Sequence, residues 1–181
     1  MMTLVHLRPK CLRVAPKRFA WALWFFWIAL SAQAQVRHAE VEREIKQGRF
    51  DQVLTLTEQA LLQTPRDPQM RFWRAWALER AGRGGDALDA YLALSQDHPE
   101  LPEPHNNAGV LLMRLGRFDE AQAAFQTALR MNAGYTEAME NLGDVLQWQA
   151  RRWYEKSLQT NPAQPALKQK IKALPPLPSA P

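Results

Sequence analysis

Cysteine is nearly missing from this 181-residue chain, and recognisable catalytic motifs are missing altogether. The single cysteine, Cys11, precedes a long apolar run, so the sequence beyond that run has neither a disulfide nor thiol chemistry. Three histidines follow the run, His38, His98 and His105, and their spacing fits no metal-binding motif. There is no phosphate-binding loop, serine elbow or paired-acid motif. The sequence therefore predicts a protein that is not an enzyme and that uses no metal and no cofactor.

Long apolar runs are equally scarce, and the one present lies near the N-terminus. Residues 19–30 form it, after an opening segment with five basic residues and no acid. Ala32-Gln33-Ala34 follows, as expected at the cleavage site of a secretory signal peptide. We predict a signal peptide over residues 1–34, cleavage after Ala34 and an exported, periplasmic protein. In the alternative, the leader stays uncut and anchors the chain in the inner membrane, facing the periplasm.

A net charge of one sign is also missing once the leader is set aside. The chain has 23 basic and 18 acidic side chains, and five of the bases lie in the leader. The remaining bases and acids are equal in number, so the mature protein is formally neutral. No basic stripe interleaved with aromatic residues follows the leader. These features predict that nucleic acid is not a partner.

What the chain does contain is a repeat of fixed length. Gly-Arg occurs at residues 48–49, 82–83 and 116–117, each copy 34 residues after the last. A period of this length is typical of a helical hairpin that repeats along a solenoid. The glycine suits the positive φ that is common just past a helix end, and Pro65 and Pro99 then stop the second helix of their units.

The spacing within each unit resembles the tetratricopeptide repeat. That pattern has an aromatic, a leucine-glycine pair and a tyrosine in the first helix, then alanine and phenylalanine four apart, then proline. The third unit matches it at Gly109, Ala121 and Phe125, and the fourth unit opens with a match at Gly143. The resemblance spans residues 34–162 and implies an all-α, right-handed solenoid of helical hairpins. The resemblance assigns a structural role, in the turns or in the packing between helices, to Gly48, Gly82, Gly116, Gly109, Gly143, Ala87, Ala121 and Phe125.

The predicted solenoid, residues 35–161, consists of three complete units and one truncated unit. The complete units are 34–67, 68–101 and 102–135. The fourth, 136–161, lacks five residues that include its turn. Apolar residues continue across this gap at spacings of three and four, which predicts one amphipathic helix from about Thr136 to Thr160. The stripe comprises Met139, Leu142, Leu146, Ala150, Trp153 and Ser157.

Two interpretations of this last helix stay open. It either caps the final core face, as atypical terminal repeats do, or projects and offers Trp148, Trp153 and Tyr154 to a partner. Beyond it, residues 162–181 are rich in proline and predict a flexible tail, with room for a short helix over 166–174.

The resemblance also implies where a partner binds, because in this family the first helices line a concave groove that holds peptides. Transferred to this chain, the groove residues are Phe72, Trp76, Arg80, Asn106, Asn107, Val110, Arg114, Glu140, Asn141 and Asp144. The aromatic rings either bind a partner or fill the core. The asparagines bond either to a peptide backbone or to the neighbouring repeat. Arg71 and Arg74 fall at core positions and are expected to snorkel or to pair with acids of an adjacent helix.

The expected partner is a protein or peptide of the cell envelope. Glu140 and Asp144 stand where family members that grip a C-terminal carboxylate have bases, so a peptide with apolar anchors and a basic patch is expected. The chain resembles small periplasmic tetratricopeptide repeat proteins of Gram-negative bacteria, which implies a non-catalytic scaffold or adaptor. Two alternatives remain: an inner-membrane-anchored accessory or chaperone subunit of an envelope assembly, and a scaffold that self-associates through its last helix.

Overall fold

The structure, a computed structural model, describes residues 35–176. The predicted signal peptide, 1–34, and the end of the predicted tail lie outside the described residues. The chain divides into two compact units between Glu40 and Val41. Of the first unit, only residues 35–40 are described, and they are helical. The second unit, from Val41 onwards, holds the packed helices.

Within the described range every regular element is an α-helix, and short turns separate one helix from the next. The first, α1, covers the helical residues 35–46. The others are α2 Phe50–Gln63, α3 Pro68–Arg80, α4 Gly84–Asp97, α5 Pro102–Arg114, α6 Phe118–Met131, α7 Thr136–Thr160 and α8 Pro165–Lys172. From α2 to α8 each helix packs against the next in sequence. The predicted all-α helical-repeat fold is therefore confirmed.

A glycine in the left-handed region closes the turn inside each complete hairpin. Gly48, Gly82 and Gly116 have φ of 69°, 76° and 71°. The residue after the glycine then donates its N–H to a carbonyl in the preceding helix, as Arg83 does to Leu78 at 2.9 Å. This is the bonding of a Schellman motif, which satisfies a carbonyl at the helix end and favours glycine. The same helix-ending turn therefore occurs three times, and the period of 34 is the number of residues from one copy to the next.

The second helices of the complete hairpins bury equivalent positions. Fully buried on α2, α4 and α6 are Val53, Ala87 and Ala121, and one turn later Thr57, Tyr91 and Phe125. In the first unit Thr57 replaces the aromatic ring, and its buried hydroxyl donates to the Val53 carbonyl at 2.7 Å. In the first hairpin this position is therefore buried as in the other two, although its residue is not aromatic.

Two glycines at equivalent positions of the first helices have different surroundings. A Cβ on Gly109 would lie 2.6 Å from Cε1 of the buried Phe125, so glycine allows α5 to approach α6 closely. A Cβ on Gly143 would meet nothing within 4 Å. The truncated fourth unit has no second helix to supply a counterpart of Phe125, and Gly143 has no packing partner in the described chain.

The fourth unit is the single 25-residue helix α7, as predicted. Of the predicted stripe, Leu142 packs against the main core cluster, but the other large apolar side chains do not face the core. Met139, Leu146 and Trp153 are 47%, 45% and 67% exposed, whereas Ala138 and Val145 are fully buried. The reason is that α7 packs onto α6 of the preceding unit. The stripe lies on the side that, in a complete unit, packs against the second helix of the same unit.

The first half of α7 caps the core, and the second half extends past it. Trp148 is half-buried and packs on Phe118 with ring centroids 5.7 Å apart. The Tyr154 ring is covered by the Lys170 ammonium of α8 at 5.5 Å. Of the three aromatic residues expected to project from this helix, Trp153 alone is mostly exposed.

The start of the expected flexible tail is folded. Arg151 Nη1 of α7 donates to three carbonyls at and beyond the end of α8, those of Ile171, Leu174 and Pro175. Ile171 also accepts the Leu174 N–H at 3.2 Å, and carbonyls at a helix end have acceptor capacity left over, so a guanidinium that reaches them holds α8 against α7. Pro165 stands in the first turn of α8, where proline is favoured. Helix α8 is thus the short helix for which the sequence left room over residues 166–174, because proline there starts a helix rather than preventing one.

Candidate groove on the first helices

Aromatic side chains of α3 form the centre of the first-helix face. Phe72 packs on the buried Tyr91 with ring centroids 5.7 Å apart, and Trp76 meets Phe50 edge-on at 5.3 Å. The Arg80 guanidinium lies over the Trp76 ring at 5.2 Å. Phe72 and Trp76 are half-buried. Each ring therefore contributes to the core and keeps part of its surface accessible.

Three asparagine side chains connect α5 to its neighbours. Asn141 of α7 donates to Asn106 at 2.9 Å, and Asn106 donates to Asn107 at 3.3 Å. Asn107 in turn donates to the Tyr91 hydroxyl of α4 at 3.1 Å. Asn106 is only 5% exposed. This arrangement is the alternative in which the amides bond to the neighbouring repeat, and it uses much of their hydrogen-bonding capacity.

The tyrosine at the end of this network stays neutral. Burial raises the pKa of Tyr91 far above its ordinary value, although the hydrogen bond from Asn107 acts to lower it. Burial likewise raises the pKa of Tyr135, and the nearby Glu103 and Glu137 carboxylates add to the effect. Both phenols therefore remain hydroxyl groups over the physiological pH range.

Arginines of α3 and α5 join adjacent helices. Arg114 Nη1 lies 2.8 Å from Glu79 Oε1 of α3 and so links the second and third units. The two arginines at core positions of the pattern also pair with acids of neighbouring helices, as expected. Arg71 bonds Asp97 of α4 at 2.6 Å, and Arg74 lies 3.7 Å from Glu58 of α2.

The acidic residues of α7 are placed differently. Glu140 is exposed and Asp144 is half-exposed. In the part of the chain that the structure describes, neither forms an ion pair with a base. Glu137, three residues before Glu140, is exposed as well. The first turns of α7 therefore present negative charge to solvent.

An apolar pocket of about 380 Å³ opens between the N-terminal ends of α3 and α5. Its lining residues are Pro68, Gln69, Phe72, Leu101, Glu103 and Pro104. Of these, Phe72 alone belongs to the groove predicted from the sequence. The other lining residues lie in the turn between the two units or in the first turn of α3 and α5. They come earlier in the chain than the groove positions that the family pattern predicts on these helices. The sequence did contain one indication of this site. Pro68 and Pro102 are 34 residues apart, which indicates that the starts of α3 and α5 are equivalent.

The last of the predicted groove residues is Val110 of α5. Val110 is half-buried and packs against the main core cluster.

Within residues 35–176 no three His, Cys, Asp or Glu side chains come together in a way that could hold a metal ion. Over the same range, none of the helices combines the length and the apolar character that crossing a bilayer requires.

One curated protein is similar to part of this sequence. Human protein arginine N-methyltransferase 9 is 32% identical over 81 residues, which are 44% of this chain and 10% of that protein. The chain thus spans about a tenth of this curated relative, a stretch somewhat longer than two repeats.

Several solved structures have a similar fold. The first TPR domain of human RPAP3 has a TM-score of 0.60 at 20% identity, covering 65% of this chain and 92% of that one. The first TPR of Spaghetti (RPAP3) bound to the HSP90 peptide SRMEEVD has a TM-score of 0.62 at 20% identity, with coverages of 66% and 95%. The Yersinia enterocolitica secretion chaperone SycD, in complex with a peptide of the translocator YopD, has 0.61 at 12% identity, with coverages of 65% and 95%.

Sequence and structure agree on the family. The sequence profile of the tetratricopeptide repeat matches residues 38–102 and 106–165, which together are more than half of the chain. The matched residues contain the three glycine turns and the buried positions described above. The chain belongs to the tetratricopeptide repeat family.

Proposed function

We propose that this protein is an exported, non-catalytic interaction scaffold whose first-helix face binds an extended peptide segment of a cell-envelope protein. The observation that carries the proposal is the apolar pocket between α3 and α5, with the half-buried Phe72 ring in its wall. A pocket of this kind accepts one apolar side chain, while the open face on either side leaves room for the rest of a peptide. Peptides held by Spaghetti (RPAP3) and by SycD support this use of the fold.

The charges of the face select the kind of peptide. Glu103 lines the pocket, and Glu140 and Asp144 leave unpaired negative charge further along the face. A peptide with an apolar anchor and nearby lysine or arginine complements both features, because opposite charges favour the encounter and like charges oppose it. An acidic peptide such as the SRMEEVD segment held by Spaghetti meets repulsion at these positions. We therefore assign a basic, apolar segment as the ligand class.

The pocket is tested by photocrosslinking in cells. A photoreactive amino acid replaces Gln69, which is exposed at the rim of the pocket, and in a matched control replaces Gln126, which is exposed on α6. We expect one envelope protein to be trapped from position 69 and not from position 126. Equal adducts from both positions, or none from position 69, would refute the groove.

The charge argument has its own test. The double variant Glu140→Lys and Asp144→Lys changes side chains that make no ion pair within residues 35–176, so the fold is expected to survive. The yield of the adduct from position 69 is expected to fall about tenfold or more. An unchanged yield contradicts the assignment of a basic ligand while leaving the pocket itself in place.

A further inference from the structure

One face of α7 is built like a core face but has no helix against it in the described residues. Gly143 and Leu146 are the equivalents, 34 residues on, of Gly109 and Leu112. Gly109 lies under the Phe125 ring and Leu112 is 3% exposed, because α6 covers them. Gly143 has open space beside it, and Leu146 is 45% exposed. The truncation of the fourth unit removed the helix that covers this face elsewhere.

The face continues along α7 with residues of alternating size, of which Ala150 and Ser157 are half-buried and Trp153 is mostly exposed, with the Lys156 ammonium 5.1 Å from its ring. Large apolar side chains and small residues follow one another at alternating spacings of four and three, in the order Met139, Gly143, Leu146, Ala150, Trp153 and Ser157. This is the heptad spacing by which two helices pack along a seam. Glycine inside a helix is unfavourable unless something approaches closely, and an exposed Gly143 gains nothing from the described chain.

We propose that a second copy of this chain covers the face, through antiparallel pairing of α7 with α7 about a twofold axis level with residue 148. In this register every large residue lies opposite a small one. The opposed pairs are Met139 with Ser157, Gly143 with Trp153, and Leu146 with Ala150. Because a twofold axis repeats each contact, the seam is complementary to itself over its whole length.

Other arrangements do not use the pattern in this way. A parallel pair places Trp153 beside Trp153 and Gly143 beside Gly143, so that crowding alternates with gaps. The flanking positions nearest the axis are the neutral Gln147 and Gln149, and Gln149 donates to Asp119 of α6 at 2.8 Å. The seam covers 19 residues of each helix, or about 28 Å of contact. It lies apart from the pocket of α3 and α5, so this inference does not depend on the proposed function.

The dimer is tested by sedimentation velocity over a range of concentrations, with protein expressed from the full chain and purified as cells process it. We expect a monomer–dimer equilibrium in the wild type. Leu146→Glu places two carboxylates in the seam and is expected to raise the dimer dissociation constant about 100-fold or more. The matched control, Leu62→Glu, alters an apolar residue of α2 that is 84% exposed, and is expected to leave the equilibrium unchanged.

The register is tested separately with a short bismaleimide crosslinker in a Cys11→Ser background. Gln147→Cys lies close to the axis and is expected to crosslink to its own copy. Glu140→Cys is about 24 Å from its copy in the antiparallel pair and is expected not to react. Crosslinking at both positions indicates a parallel pair and overturns the proposed register.

Three results overturn the dimer itself. They are a wild type that stays monomeric at every concentration, a dimer that survives Leu146→Glu, and a seam occupied instead by the chain's own leader or by another protein. Circular dichroism and the melting temperature of Leu146→Glu distinguish loss of pairing from loss of fold, because the substituted side chain is exposed in the monomer.

Discussion

At the scale of single residues, Gly109 and Gly143 provide a matched pair of substitutions. Gly109→Ala puts a methyl group against the buried Phe125 ring and is expected to cost about 1–3 kcal/mol of unfolding free energy. Gly143→Ala meets open space and is expected to add up to about 1 kcal/mol, because alanine favours a helix. Urea denaturation at low protein concentration measures both. Equal effects of the same sign contradict the close approach at Gly109.

A second residue-scale prediction concerns Glu44, which is 5% exposed where later units have Leu78 and Leu112. Burial acts to raise its pKa, but hydrogen bonds and charge from Arg49 and Arg43 outweigh burial and hold the pKa below the ordinary 4.5. Because the pKa of Glu44 is lower in the folded state, its ionised carboxylate stabilises the fold above pH 4.5. This contribution to the free energy of unfolding is lost as the pH falls through the folded-state pKa.

The Glu44→Gln variant is therefore expected to flatten the loss of stability below pH 4.5 that the wild type shows. Urea midpoints measured from neutral to acidic pH test this. Glu42→Gln is the control, because Glu42 is an exposed carboxylate on the same helix. If both variants show the wild-type acid dependence, the Arg–Glu44–Arg arrangement does not contribute to stability.

At the scale of helices, the asparagine network links the third and fourth units. Asn106→Leu removes a buried amide, so that Asn141 loses the acceptor of its hydrogen bond and Asn107 loses one of its two, and we expect a loss of about 1–3 kcal/mol. Gln126→Leu, at an exposed amide of α6, is the control and is expected to change little. Thermal and urea unfolding measure the loss. Unchanged stability with weakened partner binding would instead make these amides ligand contacts.

The same network shows which part of the candidate site the sequence could predict. The period of 34 correctly identified the helices and equivalent positions, since helix-ending glycines and heptad-like spacing are local features. It could not decide between a peptide and a neighbouring repeat as the partner of Asn106, because that depends on how far α7 lies from α5. The pocket at Leu101 and Pro104 was missed for a similar reason: it forms between two helix ends that are distant in sequence.

At the scale of the whole molecule, one prediction concerns the predicted leader and the location of the protein. Five bases before a run of 12 apolar residues suit a signal peptide better than a spanning helix, and Ala32 and Ala34 suit cleavage. We expect the mature chain to begin at Gln35 by mass spectrometry and to appear in the periplasmic fraction. Ala34→Leu is expected to block cleavage and keep the chain in the membrane fraction. An uncut wild type in that fraction would establish the anchored alternative instead.

The sequence by itself determined the repeat, the turns and the single last helix. These follow from local chemistry: glycine where φ is positive, proline beside helix ends, and small or apolar residues once per turn. The tertiary structure decided which face of α7 is buried, because α7 packs mainly on α6, bonds α5 through Asn141, and turns Ala138 and Val145 inward. It also decided that the start of the tail folds, since Arg151 reaches carbonyls twenty or more residues away in sequence. Contacts of that kind depend on the distances between helices, which no periodic pattern in a single sequence contains.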